Sequence, residues 1–194
     1  MTRVIAGQAR GRPLAVPKGR TTRPTGDRVR EAMFAAAGSI LGSFDGLRVL
    51  DLYAGSGAAG LEALSRGASR ALFVETDTRS AAAVRANIGA VAIDGAQLAQ
   101  DRVERLLARG LPAGEPPYDV VFADPPYALP GDELTAVLAT AATRGWLAPR
   151  ALVIVERASR SEPLCWPDGF SPLQSRRYGE AMLWYATFGI EQRG

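Results

Sequence analysis

Residues 49–60 read VLDLYAGSGAAG. The stretch opens as an apolar run broken by one acid, Asp51, and then turns abruptly small, with Gly55, Gly57 and Gly60 in a G-x-G-x-x-G spacing. An apolar run of this kind suits a strand covered on both faces. Glycines directly after it allow a tight turn and a close approach of ligand to backbone. The segment GAAGLEALSRGA (57–68) then carries a helical pattern that ends near Gly67. Strand, glycine turn and helix form the opening unit of a doubly wound α/β sheet.

The rhythm continues downstream. RALFVET (70–76), AQLAQ (96–100), YDVVFAD (118–124) and ALVIVER (151–157) read as further buried strands. TRSAAAVRANIGAV (78–91), RVERLLARG (102–110) and GDELTAVLATAATRG (131–145) read as the helices between them. PLQSRRYG (172–179) and AMLWYATFGI (181–190) have no helix between them, only the hairpin turn YGEA, so they predict an antiparallel pair closing one sheet edge. Upstream, DRVREAMFAAAGSIL (27–41) predicts a helix whose apolar face holds Val29, Met33, Ala36 and Ile40, with Arg28 and Glu31 opposite and Thr25 as N-cap. RVIAGQARGRPLAVP (3–17) reads as two short strands around Ala9–Arg10–Gly11, and residues 18–26 as a loop.

Acids stand at the ends of these strands, where an open α/β sheet binds ligands. Glu75, followed by Thr76, lies 20 residues after Gly55 and suits the two hydroxyls of a ribose. The glycine turn alone leaves two readings open: a dinucleotide's pyrophosphate, or the nucleoside and amino-acid tail of S-adenosylmethionine (SAM). Asp51 favours the second, because a carboxylate there repels a pyrophosphate and attracts an ammonium. Asp101, with Arg102 next to it, is placed to meet an adenine amino group or to cap the helix that follows. Ala54 and Ser56 complete the loop around Gly55.

The strand 118–124 ends in Asp124, Pro125, Pro126 and Tyr127. Proline cannot donate a ladder hydrogen bond, so the strand stops there. A planar exocyclic amine is a poor nucleophile because its lone pair is delocalised into the ring. One acceptor per N–H, from the Asp124 carboxylate and the Pro125 carbonyl, would orient it. The prolines make that geometry rigid, and Tyr127 can stack on a base lifted from its helix.

Bulk composition narrows the chemistry. The chain has 194 residues, 47% hydrophobic and 22% charged, with a single cysteine, Cys165, and no histidine. This predicts one domain or one with a small appendage, no internal disulfide, and a reducing cytoplasmic setting. Ser–His–Asp and Cys–His catalysis are excluded, and a metal site is not expected. The N-terminus has no apolar stretch of signal-peptide length, and no run is long enough for a membrane span. Net charge is +3, but basic residues crowd one end: Arg3, Arg10, Arg12, Lys18, Arg20, Arg23, Arg28 and Arg30 face only Asp27 within residues 1–30. A polyanion-binding surface is expected there.

RPTGDRVREAMF (23–34), VLDLYAGSGAAGLEALSRGA (49–68), FVETD (73–77) and DVVFADPPY (119–127) together resemble the bacterial SAM-dependent methyltransferases that modify guanine N2 in 16S ribosomal RNA. The resemblance implies a Rossmann-like class I methyltransferase fold, with a mostly parallel seven-stranded sheet, an antiparallel last strand, helices on both faces and an N-terminal β-hairpin. It implies that Asp51, Gly55, Gly57, Glu75 and Asp101 hold SAM, that Asp124 through Tyr127 hold the guanine, and that Arg23 and Thr25 lie near the active-site mouth. Residues 1–22 would form a basic arm and 23–194 the methyltransferase domain. Partners would be 16S RNA in the small subunit or an assembly intermediate, and ribosomal proteins, with the enzyme a monomer. Competing readings are methylation of adenine N6 or a protein glutamine, an NAD-dependent oxidoreductase, and a non-catalytic RNA-binding assembly factor. The oxidoreductase leaves the Asp-Pro-Pro-Tyr corner unexplained.

Overall fold

A computed structural model of the chain describes residues 2–17 and 26–189. Parallel strands β3 (Arg48–Leu52), β4 (Arg70–Val74), β5 (Ala96–Ala99), β6 (Tyr118–Ala123) and β7 (Leu147–Ala158) join β8 (Phe170–Tyr178) and β9 (Ala181–Phe188) in one seven-stranded sheet. The order is β5-β4-β3-β6-β7-β9-β8. β9 runs antiparallel to both neighbours, and Gly179 and Glu180 make the turn before it. The chain winds outward from β3 through β4 and β5, then returns to the other side of β3 with β6. The switch point therefore lies between β3 and β6, where this architecture opens a crevice beyond the carboxyl ends.

Helices α1 (Asp27–Leu41), α2 (Ala58–Ser65) and α3 (Thr78–Val91) cover one face. Met33, Phe34, Leu61, Leu64 and Val84 pack there against Phe73, Phe122 and Ile154. Phe34 lies 5.2 Å from the Phe122 ring, centroid to centroid, and 5.1 Å from Phe44. Helices α4 (Val103–Ala108) and α5 (Gly131–Thr143) cover the other face, where Leu107, Leu134 and Leu138 meet Leu50, Val121 and Val153. Because both faces are covered, the strands carry the continuous apolar runs seen in the sequence.

β1 (Thr2–Arg3) and β2 (Pro13–Leu14) pair as a minimal hairpin. It is fastened to the sheet's helices. Glu62, fully buried on α2, accepts from the Ile5 and Ala6 backbone N–H groups and from Arg66 Nε. Gln8 N–H donates to the Ser65 carbonyl, and Ala9 N–H to its hydroxyl. Val4, Ala9 and Leu14 join the core. Gly7, at φ +82, passes so close that a Cβ would sit 1.7 Å from the Ser65 carbonyl oxygen. The expected arm is thus, over residues 2–17, a docked segment.

Three details differ from expectation. The N-cap of α1 is Gly26, with no side-chain cap; Thr25 lies outside the described residues. Ile40, placed on the apolar face, is exposed, because the buried stripe of α1 runs through Arg30, Met33, Phe34, Ala37 and Leu41 and leaves Ile40 at its flank. β7 begins at Leu147 rather than Ala151: an irregular register opposite Tyr118 and Val120, with Arg150 at φ 67, lets Leu147 still pair with Tyr118 despite Pro149.

Candidate active site

At the switch point a cavity opens between the ends of β3 and β6. Its lining includes Asp51, Tyr53, Ala54, Gly55 and Ser56 on one side and Asp124, Pro125, Pro126 and Tyr127 on the other. Phe122 and Ile154 lie at its base, and Thr2, Val16, Pro17, Arg30 and Met33 border it from the N-terminal segment and α1. The two groups singled out from sequence thus share one cavity. The β3–β6 register explains why: Leu52 pairs with Ala123, so the loop after one strand and the acid after the other leave the sheet side by side.

The glycine turn is shaped by three left-handed residues, Tyr53 (φ 58), Gly55 (φ 60) and Gly57 (φ 77). A tyrosine at positive φ is uncommon and marks stored strain at a site. Gly57 opens α2, and Gly60 one turn later fits against Phe73, whose ring would be 2.3 Å from an added Cβ. Gly57 and Gly60 are therefore packing glycines here, while Gly55 and Ser56 face the cavity. Asp51 is almost fully buried and accepts a hydrogen bond from Gly60 N–H at 2.9 Å. Burial pushes its carboxyl up to about 7, the Gly60 bond opposing and the Glu75 charge adding to the rise. Among the described residues no cation pairs with it. A buried carboxyl facing a cavity without a counter-charge fits an ammonium-bearing ligand.

Glu75 is buried at the end of β4. Its two oxygens accept from Gly55 N–H and Asp77 N–H, each at 2.8 Å, which fixes the glycine turn against β4. A carboxylate has further lone pairs for ribose hydroxyls. Thr76 is exposed beside it. Asp101, after β5, is held by Arg102 N–H, Arg105 and Arg109. These partners, Arg105 first, hold its carboxyl below the usual range. Arg102, exposed, is the N-cap position of α4 and makes no side-chain cap. Glu75, Thr76, Asp101 and Arg102 lie along the same sheet edge but outside the lining of the cavity.

Asp124 is exposed at the cavity while Pro125 is buried, and Tyr127 is 52% exposed at the rim, open to a stacking partner. Leu129 N–H donates to the Pro126 carbonyl, closing the corner as a turn.

The basic residues separate. Arg3, Arg10, Arg12 and Arg28 are exposed; Arg3 lies 4.0 Å from Asp27, and Arg12 donates to the Ala90 carbonyl at the end of α3. Arg30 corrects the expectation of a phosphate-facing side chain. It is 2% exposed, donates to Asp27 and to the Arg3 carbonyl, and borders the cavity, because the α1 face it occupies turns toward the sheet. Lys18, Arg20 and Arg23 lie outside the described residues.

Sequence reasoning missed Glu156. It is buried near the end of β7 and lines the cavity. The signal was present, since it closes the apolar run ALVIVE as Glu75 and Asp124 close theirs.

A profile of the family described as Conserved hypothetical protein 95 matches residues 2–187. The chain is 34% identical over 177 residues to Ribosomal RNA small subunit methyltransferase D of Haemophilus influenzae, covering 91% of this chain and 89% of that one. It is 38% identical over 154 residues to the Escherichia coli protein of the same name, covering 79% and 73%. A solved Escherichia coli structure, provisionally named a methyltransferase, superposes with TM-score 0.81 at 31% identity over 98% of this chain and 99% of that one. With the fold of class I SAM-dependent methyltransferases and a match along nearly its whole length, the chain belongs to this family of bacterial proteins, whose curated relatives are named as small-subunit ribosomal RNA methyltransferases.

Proposed function

We propose that the protein transfers a methyl group from SAM to the exocyclic N2 amine of a guanine in 16S ribosomal RNA. The observation that carries this reading is the shared cavity: the Asp51–Ser56 loop and the Asp124–Tyr127 corner face one space. When bound, SAM supplies an electrophilic methyl carbon on a sulfonium and leaves as S-adenosylhomocysteine. Asp51 would hold the ammonium of its amino-acid tail, Gly55 and Ser56 would let that tail approach the backbone, and Glu75 would hold the ribose.

On the other side, the Asp124 carboxylate accepts one N2–H and the Pro125 carbonyl the other. Two acceptors would point the nitrogen lone pair toward the donor side, and Asp124 or water would take the proton that N2 sheds. Pro125 and Pro126 hold this arrangement before substrate arrives, so little reorganisation is needed at reaction. Tyr127 stacks on the extruded base. The exposed arginines of the N-terminal segment and α1 hold phosphates without reading sequence.

The test is transfer of labelled methyl to small-subunit RNA from cells lacking the protein, with the product nucleoside identified by mass spectrometry. 2-Methylguanosine is expected; N6-methyladenosine or label in protein would overturn the reading. Asp124→Ala is expected to lower kcat by at least roughly 10²-fold with SAM affinity kept. Near-normal turnover would remove Asp124 from its role.

A further inference from the structure

The guanine reading leaves one buried acid in the cavity unused. We infer that Glu156 is the specificity residue: its carboxylate accepts the N1–H of the target guanine beside Asp124, so that the site takes a guanine edge and rejects an adenine edge. This rests on the proposed N2 chemistry.

The register makes the two acids neighbours. β6 and β7 are parallel, with Phe122 opposite Ile154 and Ala123 opposite Val155. Asp124 is the residue directly after the last β6 position and Glu156 the residue directly after its partner on β7, so the register brings the two acids to the same end of adjacent strands. Strand side chains alternate, so Glu156 falls on the face of Ile154, the face covered by α1. Both line the cavity, but Glu156 is only 9% exposed, whereas Asp124 is open.

The base edge supplies the complement. Guanine presents N2–H, then N1–H, then the O6 acceptor. With N2 held at Asp124 and the Pro125 carbonyl, N1–H falls toward the next strand, where Glu156 stands. A carboxylate has about four acceptor sites, so Glu156 can keep other contacts and still take N1–H. Arg30 adds an independent sign. Its Nε is buried and has no hydrogen-bond partner among the described residues, and the residue borders the same cavity, which fits a keto oxygen at the third position. Adenine held by N6 would instead turn its N1 lone pair toward Glu156. Two acceptors facing each other in a water-poor site disfavour binding, and a site built for an N–H rejects the analogue lacking it.

The test uses the full-length protein and small-subunit particles carrying guanine or 2-aminopurine at the mapped target. 2-Aminopurine keeps the N2 amine but has a lone pair at N1 and no O6. Glu156→Ala is expected to lower kcat/KM on guanine by about 10- to 100-fold, the worth of one hydrogen bond to a charged group, with SAM affinity unchanged. The isosteric Glu156→Gln, whose amide can donate to the N1 lone pair, should narrow the preference for guanine over 2-aminopurine by about tenfold. Loss of O6 affects both enzymes equally and cancels in that comparison. If the wild type makes 2-methylguanosine but Glu156→Gln keeps the wild-type preference, or Glu156→Ala keeps wild-type turnover, this inference fails alone. If the wild type makes no 2-methylguanosine, the N2 reading fails and takes this inference with it.

Discussion

Asp51 shows how one residue links burial to ligand choice. Its carboxyl is pushed up to about 7, chiefly by desolvation. Between its ordinary 3.8 and about 7 the folded state holds the proton more tightly than the unfolded state. Stability of the ligand-free protein should therefore fall as pH rises through that window and level off above it. Cofactor binding should show the opposite trend, because the ammonium needs the ionised form. We predict that SAM affinity, measured by calorimetry, weakens as pH falls below about 7, with proton release on binding there, and weakens again above about 8, where the free ligand's amino group loses its proton. Asp51→Asn should weaken binding and erase the lower pH step. A wild-type affinity without that lower step would take Asp51 off the ammonium. Asp51 was legible because acid, strand end and glycine turn are contiguous in sequence. Glu156 carried only part of its signal, an acid closing an apolar run; its place near Asp124, 32 positions away in sequence, comes from the β6–β7 register. Arg30 was misread for a related reason: composition groups it with the basic residues, and only the packing of α1 turns it inward.

At the scale of elements, α2 is seated on β4 by the absence of a side chain at Gly60. Two effects compete in Gly60→Ala. Alanine is the better helix former by up to about 1 kcal/mol. The added methyl would lie 2.3 Å from Cε1 of Phe73, a fully buried ring with no room to retreat, and overpacking of this kind costs about 1–3 kcal/mol. The clash should win, lowering the thermal midpoint by a few degrees in a chain of this size, with SAM affinity reduced because the Asp51 carboxylate accepts from Gly60 N–H. A raised midpoint would mean that α2 shifts freely. The bounds of α1 and α3 were legible to the residue, since turn residues and periodicity agree there. The start of β7 was not: Pro149 reads as a break, and only a partner strand with an irregular register carries the ladder past it. The docking of residues 2–17 was also hidden, because the buried Glu62 that receives two of its N–H groups looks in sequence like a solvent-facing helix residue.

Over the whole molecule the charge distribution sets a problem that, as we propose, the N-terminal arginines answer. Each of the five parallel strands has an acid within two residues of its carboxyl end: Asp51, Glu75, Asp101, Asp124 and Glu156. That end of the sheet suits an ammonium, ribose hydroxyls and an amine, but it repels the phosphates that flank any target base. Attraction must come from the rim, and exposed Arg10 and Arg28 belong to the segment and helix whose Val16, Pro17 and Arg30 border the cavity. Each phosphate neutralised by such a residue releases counterions, so RNA association should weaken linearly on a log–log salt plot. Replacing Arg10 and Arg28 by Glu should flatten that slope by about one for each phosphate left without its arginine and raise KM for RNA. Arg12 is a poorer choice for this experiment, since its bond to the Ala90 carbonyl also anchors the hairpin. SAM affinity and kcat at saturating RNA should be unchanged in the double variant, because neither arginine lines the cavity. An equal loss of SAM affinity would mean that the basic segment supports the cofactor side instead, and an unchanged slope would place the RNA on another face.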